Sequence, residues 1–249
     1  MAILERISPT SSSLYESLKG HASPRVIEAM RQVPRRSFVH PIHYLSAYKD
    51  VVLPIPSIRS KSEVATISQP RVVAMMTNLL DPQPNESVLE IGTASGYQAA
   101  VLSKLAAKVV TVDIIPKLTQ GAKKRFRKLG IENVEVVLAD GSVPFARQAV
   151  FDKILITAST IPYIQAFDLS AYSLKEGGIC VAPVGGKHGD SSYGDLARIR
   201  KTNEGFEIEE RIPGVGFVLM QGKAGWDSFL RGYAAVLHND FFKGKKEAE

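Results

Sequence analysis

From Ser87 onward the chain alternates short, almost wholly apolar runs with longer stretches of helical periodicity, and that alternation leaves few folds open. Strands are expected over 87–91, 108–113, 133–138, 152–157 and 178–184, with helices over 96–105, 116–129 and about 162–174. Runs such as Val88-Leu89 and Val109-Val110 turn apolar side chains to both faces of a strand. Strands of that kind belong inside a parallel sheet covered by helices above and below. After a glycine-rich loop around Gly185–Gly189, Leu196–Arg200 and Phe206–Glu209 alternate apolar with polar across Asn203-Glu204-Gly205. That pattern predicts a hairpin at an antiparallel sheet edge.

Ahead of the sheet, Ser23-Pro24 reads as an N-cap with proline at the first helical position, followed by Val26, Ile27 and Met30 on one face. Pro34, Pro41, Pro54 and Pro56 break the next segment into extended pieces, ending in a mobile loop through Lys61-Ser62-Glu63. Pro70 opens a second helix, with Val72, Val73, Met76, Leu79 and Leu80 on its apolar side and Asp81-Pro82-Gln83-Pro84 as its stop. At 249 residues and 45% hydrophobic content, one large core is expected rather than two full domains. The expected organisation is a single domain over 1–249, made of a helical cap and substrate loop (1–80), a core (81–222) and a C-terminal extension (223–249). An amphipathic helix is expected in that extension, beyond Asp227.

The chemistry concentrates in Val88-Leu89-Glu90-Ile91-Gly92-Thr93-Ala94-Ser95-Gly96-Tyr97-Gln98, a strand closed by a Gly-x-x-x-Gly turn that opens a helix. A dinucleotide site would space its glycines as Gly-x-Gly-x-x-Gly, and that spacing is absent. Glu90, at the mouth of the turn, would repel a pyrophosphate and suits a cationic ligand. S-adenosylmethionine, with its sulfonium and ammonium groups, is such a ligand. Asp113 stands 21 positions after Gly92 at the end of the second strand, where a carboxylate can accept two hydrogen bonds from ribose hydroxyls. At the end of the third strand, Asp140-Gly141-Ser142 combines a short acceptor with a permissive backbone, suited to an adenine edge. Ala94, between the two glycines, is expected to need only a negative φ.

The net charge of +6 is scattered, and Lys123, Lys124, Arg125, Arg127 and Lys128 read as a solvated helix face, so no nucleic-acid partner is implied. The lone Cys180 sits in an apolar run as a small buried side chain. His21, His40, His43, His188 and His238 lack metal-ligand spacing, and no metal is expected. No run reaches membrane-spanning length and no export signal precedes the first helix, so the cytoplasm is the expected location.

Across about Val26 to Gly222 the chain resembles the protein-L-isoaspartate O-methyltransferase family. The resemblance rests on Val33-Pro34-Arg35-Arg36-Ser37-Phe38-Val39, Ala47-Tyr48-Lys49-Asp50, Thr66-Ile67-Ser68-Gln69-Pro70 with Val73-Ala74-Met75-Met76, the Leu89–Ala100 turn, Ala139-Asp140-Gly141-Ser142, Phe151-Asp152-Lys153-Ile154 and Phe217-Val218. It implies a Rossmann-like class I methyltransferase fold, with a mostly parallel, doubly wound sheet, an antiparallel C-terminal edge and an N-terminal helical cap. It also implies methyl transfer from S-adenosylmethionine to the α-carboxylate of L-isoaspartyl residues in damaged proteins or peptides, the ester then collapsing to succinimide. Ser68 would be the catalytic residue, beside Thr66 and Ile67. Glu90, Gly92, Thr93, Ala94, Ser95, Gly96, Asp113, Asp140 and Gly141 would serve the donor along with Ile67. Val215, Phe217 and Val218 would wall the peptide groove with Thr66 and Ser68.

A carboxylate with pKa near 4 is already ionised at neutral pH, so methylating it requires no general base. Ser68 would therefore orient rather than deprotonate. Its hydroxyl could equally cap the helix that starts at Pro70. Some features depart from the family pattern: a longer, charged 55–65 segment, Leu219 where proline commonly follows Phe-Val, Ala94 for glycine, and the tail beyond Trp226. They leave open a related carboxylate, such as a biosynthetic peptide, or a non-catalytic donor-binding module. The expected partners are isoaspartyl peptides or proteins, with no nucleic acid and no membrane, and the chain itself is expected as a monomer or weak homodimer.

Overall fold

The apolar runs assemble into one seven-stranded sheet in the computed structural model, which describes residues 11–55, 65–146, 148–160, 164–187 and 190–225. Its strands are β3 (Ser87–Ile91), β4 (Lys108–Asp113), β5 (Val134–Leu138), β6 (Phe151–Ile156), β7 (Leu174–Lys187), β8 (Asp190–Thr202) and β9 (Gly205–Gly216), in spatial order β5-β4-β3-β6-β7-β8-β9. All pairings from β5 across to β7 are parallel, and β8 and β9 add an antiparallel edge. From β3 the chain winds outward through β4 to β5, then crosses to β6 on the other side of β3. The carboxyl ends of β3 and β6 therefore flank the point where the winding reverses, which is where open α/β sheets form ligand crevices.

Alternation along each strand feeds two cores. Val88, Val109, Leu155, Val181 and Leu196 point into one; Leu89, Val110, Ile154, Cys180 and Ala197 point into the other. The first core also takes the cap and the helices that follow β3 and β4. The cap comprises α1 (Ser11–Ser17), α2 (Pro24–Gln32), single 3-10 turns over Arg35–Phe38 and Pro41–Ser46, and a two-stranded ribbon of β1 (Leu53–Pro54) and β2 (Thr66–Ile67). It is completed by α3 (Pro70–Leu80); α4 (Tyr97–Leu102) follows β3 and α5 (Pro116–Lys128) follows β4. The second core is closed by α6 (Ile164–Ser173), through Ala166 and Leu169. Ser23 caps α2 by accepting from the Val26 N–H at 3.4 Å, and Asp81 ends α3 in the left-handed region at φ 46°.

The helix before Ser23 was not legible in the sequence. Α1 is a seven-residue, serine-rich helix whose Leu14 and Tyr15 are buried by neighbours from the cap. The expected glycine-rich loop at 185–189 is corrected over 185–187, where Gly185 pairs with Gly194 and Lys187 with Asp190 and so extends β7 and β8 as a long ribbon; His188 and Gly189 lie outside the described residues. Strand β9 likewise extends to Gly216, well beyond Glu209. The expected loop through Lys61-Ser62-Glu63 and the expected helix beyond Asp227 lie outside the described residues. Among those described, no helix is long and apolar enough to cross a membrane.

Candidate active site

The turn after β3 owes its shape to three positive φ angles, at Gly92 (105°), Ala94 (45°) and Gly96 (85°). The Gly92 and Thr93 N–H groups donate to Val112 O at 2.8 and 3.1 Å, tying the turn to the end of β4. A Cβ on Gly92 would lie 2.2 Å from Thr157 Oγ1. That hydroxyl, directly after β6, reaches the carbonyls of Ile91 at 3.0 Å and Gly92 at 2.8 Å and so closes the switch point from the other side. The negative φ expected at Ala94 is corrected. Its left-handed conformation turns the Ala94 N–H toward Asp113 Oδ2, 2.8 Å away, a bond that helps offset the cost of placing a side chain there.

Gly96 serves packing, because a Cβ there would meet the Phe126 ring at 2.8 Å; it does not line the cleft. Arg125 also departs from expectation. Rather than standing on a solvated face, it is half-buried and donates through Nη1 to Ser95 O at 3.3 Å, bracing the same turn from α5.

Asp113 ends β4 with its carboxylate against the cleft, only 9% exposed. Oδ2 accepts from Ala94 N–H and Oδ1 from Ile115 N–H at 2.9 Å, which fixes the rotamer and leaves each oxygen further acceptor capacity. Burial raises its pKa, opposed by those backbone donors. Such a carboxylate can receive two hydroxyls of a sugar edge.

Glu90 is not where the sequence reading put it. Alternation turns it to the same side as Val88, it is fully buried, and it is absent from the cleft lining. Thr111 donates its hydroxyl to Oε2, while Oε1 has no partner. Burial pushes its pKa up to about 8 against that hydrogen bond, so at neutral pH it is largely protonated and offers a cationic ligand little countercharge.

Asp140 also stands apart from the lining. Its carboxylate accepts from Ser142 N–H and Oγ–H at 2.9 and 2.6 Å and from Lys223 N–H at 2.8 Å. Burial opposes ionisation, but these donors hold the carboxyl below its ordinary range. Gly222, at φ 118°, lies so close that a Cβ would approach Asp140 Oδ1 to 2.2 Å. Asp140 thus fastens residues 222–224 across the sheet end, and its neighbours Gly141 and Ser142 face the cleft in its place.

The opposite wall comes from the cap and from the chain after β9. Ribbon β1–β2 holds Thr66 and Ile67 through the pairs Pro54↔Thr66 and Leu53↔Ile67, and Ser68 follows, separated from α3 by Gln69 alone. Beyond β9, Ser159 N–H donates to Val218 O at 2.7 Å and Met220 N–H to Ser159 O at 3.0 Å, which lays 215–220 along the cleft. The cleft, open to solvent on one side, has a volume of about 1190 Å³. Of the residues singled out in the sequence, Thr66, Ile67, Ser68, Gly92, Thr93, Ala94, Ser95, Asp113, Gly141, Val215, Phe217 and Val218 line it; Glu90, Gly96 and Asp140 do not. Among the described lining residues the titratable side chains are His21, Arg71, Tyr97 and Asp113. Thr157 lines the cleft too with no role expected for it, as do Gln98 and Ser142, which stand within the expected turn and the Asp140-Gly141-Ser142 motif without a role of their own. Thr157 had a visible signal, since it ends the fourth expected strand at the sheet end where Gly92 follows the first.

The sequence profile of the protein-L-isoaspartate(D-aspartate) O-methyltransferase family matches residues 10–225. The protein-L-isoaspartate O-methyltransferase of Dictyoglomus thermophilum is 43% identical over 216 residues, covering 86% of this chain and 91% of its own. That of Methanoregula boonei is 40% identical over 210 residues, covering 84% and 90%. Among solved structures, a protein-L-isoaspartate O-methyltransferase superposes with a TM-score of 0.73 at 27% identity, over 87% of this chain and 67% of its own. A Plasmodium falciparum protein described as a putative member of the same family, in complex with S-adenosyl-L-homocysteine, superposes with a TM-score of 0.65 at 23% identity, over 86% and 99%.

Proposed function

This chain belongs to the protein-L-isoaspartate O-methyltransferase family, and from that membership we propose that it methylates the α-carboxylate of L-isoaspartyl residues with S-adenosylmethionine as donor. The observation that supports this reading is one continuous cleft with Asp113 and the glycine turn on one wall and the Thr66-Ile67-Ser68 segment on the other. The donor supplies a methyl carbon on a cationic sulfur, whose displacement by a carboxylate oxygen leaves a neutral thioether and moves no proton.

Asp113 receives the ribose hydroxyls in this reading. Its neighbours Gly92, Thr93, Ala94 and Ser95 receive the methionine portion, and Gly141 with Ser142 meets the adenine edge. Asp140 and Glu90 act behind them, the first by fastening 222–224 and the second beneath the turn. Ser68 orients the acceptor carboxylate by hydrogen bonding, and Ile67, Val215 and Phe217 exclude water from the methyl group's path. Holding the reacting atoms in line supplies the rate, an effect worth up to about 7–11 kcal/mol in well-oriented reactions. Isoaspartyl peptides and proteins are the partners so implied.

Incubation with an isoaspartyl peptide and methyl-labelled donor tests the reading: label is expected on the peptide and none on its aspartyl counterpart. Ser68→Ala is expected to lower transfer by about 10-fold or more while leaving affinity for S-adenosylhomocysteine within about twofold. Donor binding without label transfer by the unaltered protein would overturn it.

A further inference from the structure

Ser68 stands between two restraints. On its N-terminal side the ribbon pins Thr66 and Ile67, reinforced by the Ile55 N–H to Ala65 O bond of 3.1 Å. On its C-terminal side α3 begins at Pro70, and Gln69 at the N-cap position makes no capping bond with its own side chain. A helix start left in that state has free N–H donors. Asp50, from the loop before β1, supplies what is missing. Its Oδ1 accepts from the Arg71 N–H at 2.8 Å, and its Oδ2 accepts from Gln69 Nε2 at 2.9 Å and meets Arg71 Nη2 at 3.1 Å.

The loop carrying Asp50 is itself held from within the cap. Arg35, wholly buried, donates through Nε to Ala47 O at 3.0 Å and through Nη2 to Val51 O at 3.3 Å, so the carbonyls that bracket Asp50 are fixed. The Arg35 guanidinium lies 5.1 Å over the ring of Tyr97, the first residue of the helix that leaves the glycine turn. A chain of contacts thus runs from the donor-side turn through Tyr97, Arg35 and the loop that carries Asp50 to Gln69 and Arg71, just past Ser68.

We propose that Asp50 is a positioning residue for methyl transfer: by capping α3 from outside it sets where the Ser68 hydroxyl stands relative to the donor-side turn. The inference rests on the acceptor-orienting role given to Ser68 above. Because the reaction depends on alignment, and a misplacement of about 1 Å can cost about 100-fold, Asp50 acts on kcat rather than on donor binding.

The test uses the full chain, an isoaspartyl peptide, labelled donor for kcat and KM, calorimetry for S-adenosylhomocysteine affinity, and thermal melting at the assay temperature. Asp50→Ala is expected to lower kcat by about 10- to 100-fold with S-adenosylhomocysteine affinity within about twofold. Asp50→Asn keeps an acceptor for the Arg71 N–H and is expected to recover most of that loss. If Asp50 acts through Ser68, the double variant Asp50→Ala/Ser68→Ala is no slower than the slower single variant within about twofold, whereas independent sites multiply. Multiplied losses, an unchanged kcat in Asp50→Ala, or an equal loss in Asp50→Asn would overturn the assignment of Asp50 while leaving the methyltransferase reading intact. Absence of transfer by the unaltered protein, or a Ser68→Ala variant at full rate, would instead overturn the reading beneath it.

Discussion

Ala94 adopts φ 45° with a Cβ, a conformation in which that atom crowds the following carbonyl at a cost of about 1–2 kcal/mol. Glycine removes that strain and adds unfolded-state freedom worth about 0.4–1 kcal/mol in the opposite sense. Ala94→Gly is therefore expected to stabilise the chain by about 0.5–1 kcal/mol in urea unfolding, with affinity for S-adenosylhomocysteine little changed. Glu90 gives a pH signature. Unfolded, its carboxyl titrates near 4.5; folded, burial moves it to about 8, so between those values the native state holds a proton that the unfolded state has released. Stability contributed by this site consequently falls as pH rises through that window. Glu90→Gln, which does not titrate, should gain about 1–3 kcal/mol relative to the parent between pH 5 and 8, read from urea midpoints at each pH. Neither residue's state was legible in the sequence: the turn motif is local, but Ala94's φ answers to Asp113 and Glu90's protonation to the layers that bury it.

Helices α3 and α4 are joined by one buried polar contact. Thr77 donates its hydroxyl to Val73 O at 2.8 Å and accepts from Gln98 Nε2 at 2.9 Å, so the helix after Ser68 and the helix after the glycine turn share a hydrogen bond. Thr77→Val keeps the shape and strands the Gln98 amide, with an expected cost of about 1–3 kcal/mol, while Thr77→Ser keeps the hydroxyl and should cost under about 1 kcal/mol. Chemical denaturation of the two variants side by side checks this. At the same scale, the strands of the parallel sheet and the helices opening at Pro24 and Pro70 were legible, because period, proline and cap signals are short-range. Strand β9 beyond Glu209 was not, since Ile212 and Pro213 pair with Leu196 and Asp195 through a register shift that their own pattern does not announce.

The cleft joins parts far apart in the chain: the cap through Ser68, the centre through Asp113 and Gly141, and residues 215–220. A ligand touching all of them stabilises the folded molecule as a whole. At about 100 times its dissociation constant, S-adenosylhomocysteine should add about 2.7 kcal/mol, which for a chain of this size raises Tm by about 5–10 °C. Asp113→Ala should lose most of that rise in a thermal melt. The sequence by itself determined the parallel sheet, the turn after β3 and the acid 21 residues beyond it, since each follows from backbone period and spacing within one stretch of chain. Only the tertiary structure decided which acids reach the cleft. Asp140 is drawn to Lys223, Glu90 is sealed beneath the turn, Asp50 is recruited to the start of α3 and Arg125 to the turn itself. Hydrogen-bond partners and burial come from residues distant in sequence, and local spacing carries no record of them.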